Sequence, residues 1–160
     1  MVGFWERTPA YPLVIVGVPY SPITPVTTDW VISLMNLQLP PNTRVQFQRG
    51  VPIDVSRNTL VRSAQEHKAA FIFFLDADVL APPDIVLQLM AWKVPIVSGV
   101  YWSKKGYPAV WEQHPSGRGF TPIKALPTTG LTEVAGISMG CSLVDMRIFA
   151  CIPDPWFEWG

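Results

Sequence analysis

Ala70-Phe71-Ile72-Phe73-Phe74-Leu75-Asp76-Ala77-Asp78 opens with six consecutive apolar residues and ends on two carboxylates. An apolar run of this length, without polar alternation, predicts a strand buried on both faces. In open α/β sheets ligands gather beyond the carboxyl ends of the strands, which is where Asp76 and Asp78 stand. Two carboxylates one residue apart, with no basic residue in sequence until Lys93, repel each other unless a cation or hydrogen bonds neutralise them. A hard divalent ion answers this economically, because Mg²⁺ or Mn²⁺ takes one or two carboxylates and completes its shell with water and phosphate oxygens. The plainer reading is that the pair caps the following turn, as aspartates commonly do.

Upstream, residues 13–18 form a Val/Ile-rich run between Pro12 and Pro19 that predicts a second buried parallel strand. Thr27, Thr28 and Asp29 offer caps for a helix over 30–37, which stops before Pro40 and Pro41. Alternation over 44–48 predicts a further strand. Ser56 is placed to cap a helix running to about Lys68, with Leu60, Val61 and Ala64 facing the core. Downstream, Pro82 and Pro83 suit a first helical turn, Val86, Leu89 and Met90 share a face, and the helix ends near Lys93. Residues 94–101 predict another strand. Strands alternating with helices argue for an α/β fold with a mainly parallel sheet. Short segments at 109–112, 123–126 and 139–145, separated by Gly, Pro and Thr clusters, predict an appended antiparallel region with a last short helix from Met146.

The chain has 160 residues and is 49% hydrophobic, enough to bury one core, and no linker or repeat interrupts it, so residues 1–160 read as one domain. Twelve basic residues balance twelve acidic ones and are scattered, which leaves no field for a polyanion and excludes nucleic acid as the expected partner. Two cysteines, Cys141 and Cys151, make neither a CxxC pair nor a Cys/His cluster, and fit a reducing, cytoplasmic setting. No signal peptide and no transmembrane run of about 20 apolar residues is expected. Seventeen prolines exceed the usual share of about 5%.

Three stretches carry a more specific resemblance: Ser56-Arg57-Asn58-Thr59-Leu60-Val61, then residues 71–78, then Pro95-Ile96-Val97-Ser98-Gly99-Val100-Tyr101. In this order and spacing they resemble the nucleotide-binding half of glycosyltransferases with the GT-A fold, near the large inverting family 2-like group with a DxD motif. Val134-Ala135-Gly136, the stretch 140–144 and Pro155-Trp156-Phe157 resemble the acceptor side of the same proteins, so the similarity spans about residues 13–159. The resemblance implies a GT-A fold, with a mainly parallel Rossmann-like sheet flanked by helices. It also implies a nucleotide-sugar part at 1–103 and an acceptor part at 104–160, truncated at its C-terminus. The implied activity is metal-dependent transfer of a sugar from a nucleoside-diphosphate donor to an acceptor hydroxyl on a glycan, lipid or protein.

Residue by residue, the resemblance puts Asp78 on a Mn²⁺ or Mg²⁺ ion bridging the donor phosphates. It puts Asp76 on the ribose or a metal-bound water, and Arg57 near the nucleobase. It also brings Pro19 and Tyr20 to the base, and Gln48 or Arg49 to the nucleoside. Plain readings stand beside these: Tyr20 as a turn aromatic, Arg49 as a surface charge, and Arg57 as a solvated first-turn residue, although a cation there opposes the helix dipole.

Catalysis needs a carboxylate to deprotonate the acceptor hydroxyl, and in the family it follows the Pro-Trp-Phe region, where this sequence ends at Gly160. Either the chain lacks its base, or Glu158 supplies it, or the base lies in a further segment; Glu112 is a weaker candidate. Trp102, Trp111, Trp156 and Trp159 are candidates to stack on sugar rings, Trp156 first, against the plain alternative of core packing. His114 lacks the context of a metal ligand, and Cys141 reads as a small buried hydrophobe. Two other functions compete. A decayed transferase domain would bind a nucleotide without turnover. A haloacid-dehalogenase-type phosphohydrolase would use Asp76 as a nucleophile, but no later acidic pair completes that motif.

Overall fold

The computed structural model describes residues 11–126 and 129–158 of the chain; the expectation for Trp159 lies outside them. Strand β1 (Val14–Tyr20) is buried along nearly its whole length. Helix α1 (Thr28–Met35) starts at Thr27, whose side chain accepts from the Trp30 amide at 3.2 Å, satisfying one of the free donors of a helix start. Trp30 turns inward, whereas Val31, Ile32 and Met35 face outward. Strand β2 (Thr43–Arg49) leads to helix α2 (Ile53–Glu66), which begins after Pro52. Ser56 is therefore not the cap expected of it: it lies inside the helix, buried, and its hydroxyl donates to the Gly50 carbonyl at 3.2 Å.

Strand β3 (Phe71–Leu75) is the apolar run read from the sequence, with all five residues buried. Enclosing Phe71, Phe73 and Phe74 stabilises the chain by about 2 kcal/mol each. Helix α3 (Ile85–Ala91) and the short β4 (Ile96–Ser98) follow, and then β5 (Val110–Gln113), β6 (Phe120–Pro122), β7 (Gly136–Ile137) and β8 (Cys141–Asp145). Asp145 caps a closing 3-10 helix, Met146–Ala150, by accepting from the Arg147 amide at 2.9 Å.

The strands form a five-stranded sheet in the order β2-β1-β3-β8-β4 and a three-stranded sheet in the order β6-β5-β7. β1 pairs in parallel with β2 and β3, whereas β8 runs antiparallel to both β3 and β4. The small sheet is antiparallel throughout. Trp30, Val86 and Leu89 belong to the core on one face of the large sheet, and Leu60, Val61, Ala64, Met146 and Phe149 to the core on the other. At Gly17 a Cβ would stand 3.2 Å from the Leu60 side chain, so α2 packs closely against β1 there.

This corrects the expected architecture. Among the described residues the large sheet has two parallel and two antiparallel strand pairings, the small sheet adds two antiparallel ones, and there are three α-helices, so the large sheet is mixed and is not the mainly parallel, Rossmann-like GT-A arrangement. The physical reason is that an apolar run records burial on both faces and carries no sign of strand direction. The last strand, expected in an appended region, instead enters the large sheet and reverses its pairing sense. The strand expected over 94–101 shortens to β4, and the segment expected at 123–126 is preceded by the actual strand, β6. Among the described residues no helix is long and apolar enough to cross a membrane.

Candidate functional site

Asp76 follows β3 directly, and its backbone is tied on three sides. Its N–H donates to the Gly140 carbonyl at 3.0 Å, and its own carbonyl accepts from the Val79 N–H at 3.1 Å and from the Trp30 indole at 3.0 Å. The side chain that leaves this fixed point meets Arg57, whose Nη2 donates to Oδ1 at 2.9 Å and Oδ2 at 3.1 Å. Both groups are mostly enclosed, with side-chain exposures of 13% for Arg57 and 19% for Asp76. Burial raises the Asp76 carboxyl above the usual carboxylate range, and the Arg57 charge opposes that shift without cancelling it. Among the described residues the buried Arg57 Nε has no hydrogen-bond partner.

Tyr101 packs against the same carboxylate. Its hydroxyl bonds to the Ser138 hydroxyl and accepts from the Gly140 N–H at 3.0 Å, and burial raises its pKa above the usual phenol value. Residue 140 has no room for a side chain, since a Cβ would lie 2.8 Å from Asp76 Oδ2 and closer still to the Tyr101 hydroxyl.

Asp78 is different in kind. Its side chain is 56% exposed and its Oδ2 lies 2.9 Å from the ammonium of Lys104, itself 88% exposed. The hydrogen bond and the attraction of Asp78 raise the Lys104 pKa.

Two cavities meet on this pair. One, of about 560 Å³, is walled by Pro19, Tyr20, Thr27 and Trp30, and the other, of about 470 Å³, by Tyr101, Trp102, Lys105 and Tyr107. Asp76, Asp78, Leu80 and Lys104 line both. A separate cavity of about 340 Å³ is lined by Ile53, Arg57, Trp156 and Glu158, so Arg57 stands between it and Asp76.

Among the described residues no group of three or more His, Cys, Asp and Glu side chains is gathered as a metal cage. The donors present fit a different kind of ion. Asp76 is committed to Arg57, while Asp78 offers an accessible carboxylate whose partner among the described residues is a solvated lysine. One such oxygen ligand suits a hard cation whose remaining sites are filled by water and substrate phosphate.

The expected site residues divide accordingly. Pro19, Tyr20, Asp76 and Asp78 share one cavity, and Arg57 joins them through Asp76. Arg49 ends β2 opposite Tyr20 but is exposed and lines neither cavity on the aspartates. Trp156 and Glu158 are together in the separate cavity. The Trp156 indole donates to the Phe149 carbonyl at 2.9 Å, and its ring carries the Arg62 guanidinium at 5.9 Å. Trp102, 65% exposed, shares the second cavity with Asp78. His114 is engaged with Ser116 inside its own loop.

Sequence reading missed Tyr101, Lys104, Trp30 and Asn58. Lys104 and Lys105 are the only adjacent cations in the chain, a signal that was there to be read. Asn58 is buried; its Oδ1 accepts from the Trp156 and Phe157 amides at 3.0 and 3.1 Å, and its Nδ2 donates to the Phe157 carbonyl at 2.8 Å. Residues 156–158 are thereby fastened to α2.

No family model matches the sequence, and no curated protein matches it. Among solved structures the chain is similar to the crystal structure of A197 from STIV, with a TM-score of 0.67 and 20% identity over 91% of this chain and 71% of that one. The likeness is one of fold.

Proposed function

We propose that the chain binds a nucleoside-diphosphate sugar across Asp76 and Asp78 and transfers the sugar to an acceptor hydroxyl. The observation that carries this reading is the junction of two cavities on the two carboxylates: a donor with an aromatic base at one end and a sugar at the other needs two chambers joined where its phosphates lie. With Trp30 buried behind it, Tyr20 offers aromatic surface to the base in the first chamber. Trp102 and Tyr107 offer it to the sugar in the second. Asp76, held by Arg57, keeps lone pairs for ribose hydroxyls. Asp78 would hold Mn²⁺ or Mg²⁺, which when bound supplies a positive charge to offset that of the leaving diphosphate.

Glu158 is the candidate base within the chain, and Arg57 separates its cavity from Asp76. The acceptor in this reading is a glycan, lipid or protein hydroxyl; the cavity of Glu158 and Trp156 shares Ile53 with the chamber assigned to the base and no lining residue with the one assigned to the sugar, so Glu158 does not stand at the anomeric carbon in this arrangement. A cytoplasmic setting belongs to the proposal and accords with the two free cysteines.

The test is calorimetric titration of UDP and GDP, with and without Mn²⁺, into wild type and Asp78→Ala. Binding that requires Mn²⁺ and falls by at least tenfold in Asp78→Ala (about 1.4 kcal/mol or more) supports the reading. Absence of nucleotide binding under both conditions overturns it. Turnover of the bound donor then separates an enzyme from a non-catalytic nucleotide-binding domain.

A further inference from the structure

The two carboxylates of the site are neutralised in opposite ways, and the difference points to a function for the lysines beside them. Arg57 on Asp76 is enclosed and touches both carboxylate oxygens from one nitrogen, a fixed arrangement. Lys104 on Asp78 is a single contact between solvated groups. Exposed pairs of this kind contribute little net stability, so the contact exchanges readily.

The lysine is nevertheless held close by its backbone. Tyr101 and Ala109 are joined by a hydrogen bond of 2.9 Å and Trp102 bridges to Pro108. The Ser103 N–H donates to the Tyr107 carbonyl at 2.8 Å, and Gly106, at φ 83°, closes the turn by donating to Ser103 at 2.9 Å. A left-handed φ at that point suits glycine. The paired stem fixes the tip, and the tip carries Lys104 and Lys105 into the cavity that Asp76 and Asp78 line.

We propose that Lys104 is the resident counter-ion of Asp78, occupying the carboxylate in the free chain and moving onto the diphosphate when a metal-bound donor enters, where Lys105 joins it. This rests on the donor-binding reading above and adds to it the lysine pair and the exchange. A compact ammonium on a flexible four-carbon stem, with three donors, suits such a transfer, whereas the planar guanidinium of Arg57 suits a permanent post. The exchange keeps Asp78 paired at every stage, so no carboxylate is left uncompensated beside Asp76.

The proposal requires Lys104 to oppose the metal alone and to assist the phosphate, so one substitution must act in opposite directions. Mn²⁺ binding is followed by electron paramagnetic resonance, and pyrophosphate binding in the presence of Mn²⁺ by calorimetry, using wild type, Lys104→Met and Lys104→Met/Asp78→Asn. In Lys104→Met the affinity for Mn²⁺ alone rises by about twofold to fivefold, the scale of an exposed ion pair, and pyrophosphate affinity falls by about tenfold or more, the scale of a charged hydrogen bond. The gain in Mn²⁺ affinity disappears in the double variant. If Lys104→Met binds Mn²⁺ no tighter than wild type, or binds pyrophosphate equally well, the exchange is refuted, as it is if wild type binds neither ion. If both predicted shifts occur while no nucleoside diphosphate binds, the exchange stands and the sugar-transfer reading falls.

Discussion

Gly140→Ala is the smallest change aimed at the site. An alanine Cβ there would meet the Tyr101 hydroxyl, Tyr101 Cζ at 2.9 Å and Asp76 Oδ2 at 2.8 Å. Neither neighbour yields cheaply, because the Tyr101 hydroxyl is bonded to Ser138 and Asp76 is tied through its backbone and through Arg57. Gly140 is not among the glycines with a left-handed φ, so the cost is steric. Overpacking of this kind costs about 1–3 kcal/mol, and in a chain of this size each kcal/mol lowers Tm by about 2–4 °C. Gly136→Ala is the matched control, since its Cβ would meet only Trp111 Cβ, at an ordinary 3.6 Å, and its stability stays within about 0.5 kcal/mol of wild type. Urea and thermal unfolding read the stabilities, and nucleotide titration reads the displacement of Asp76. Equal stabilities for the two variants would show that Tyr101 and Asp76 do not crowd residue 140.

Other perturbations probe the supports around the site. Asn58→Ala removes three hydrogen bonds to residues 156 and 157 and lowers stability by about 3 kcal/mol, with early hydrogen exchange at the Trp156 and Phe157 amides; protection equal to wild type there refutes the fastening role. Arg57→Met leaves Asp76 enclosed and unpaired, a loss of about 3 kcal/mol by urea unfolding; adding Asp76→Asn recovers part of it, and no recovery contradicts the pairing. Burial pushes the Cys141 thiol up to about 11, while Cys151 is exposed, so one thiol reacts with Ellman's reagent at pH 8 in the folded chain and two react in denaturant. Because the folded state holds the Cys141 proton more tightly than the unfolded state, this contribution to stability is complete below about pH 8.5. It is lost as pH rises towards 11, a decline that Cys141→Ala lacks.

The parts of the molecule that were legible are those encoded locally. The run 71–75 announces a buried strand by composition alone, and the spacing of Leu60, Val61 and Ala64 announces the inward face of α2. Asp76 and Asp78 were legible because charge ends an apolar run abruptly. Strand direction was not, because β8 reaches β3 from 66 or more positions away, with Leu75 opposite Cys141, and nothing in a window of sequence records a partner at that distance. The same limit hid Asn58, whose partners lie 98 and 99 positions downstream. Tyr101 has no periodic or motif signature of its role, since its hydroxyl matters through Ser138 and Gly140.

Arg57 and Asn58 show how adjacent letters come to separate tasks. Successive residues on an α-helix point about 100° apart, so from one turn of α2 Arg57 reaches Asp76 while Asn58 turns to the segment carrying Trp156 and Glu158. The resemblance assigned a role to Arg57 and none to Asn58. The geometry gives Asn58 equal weight, because the same turn that fixes the buried carboxylate also fixes the backbone leading to the proposed base. A shift of α2 along its axis would therefore displace both together. Lys104, carried on a separate turn, remains free to move relative to them, so Asp78 is the side of the site where exchange can occur without disturbing the rest.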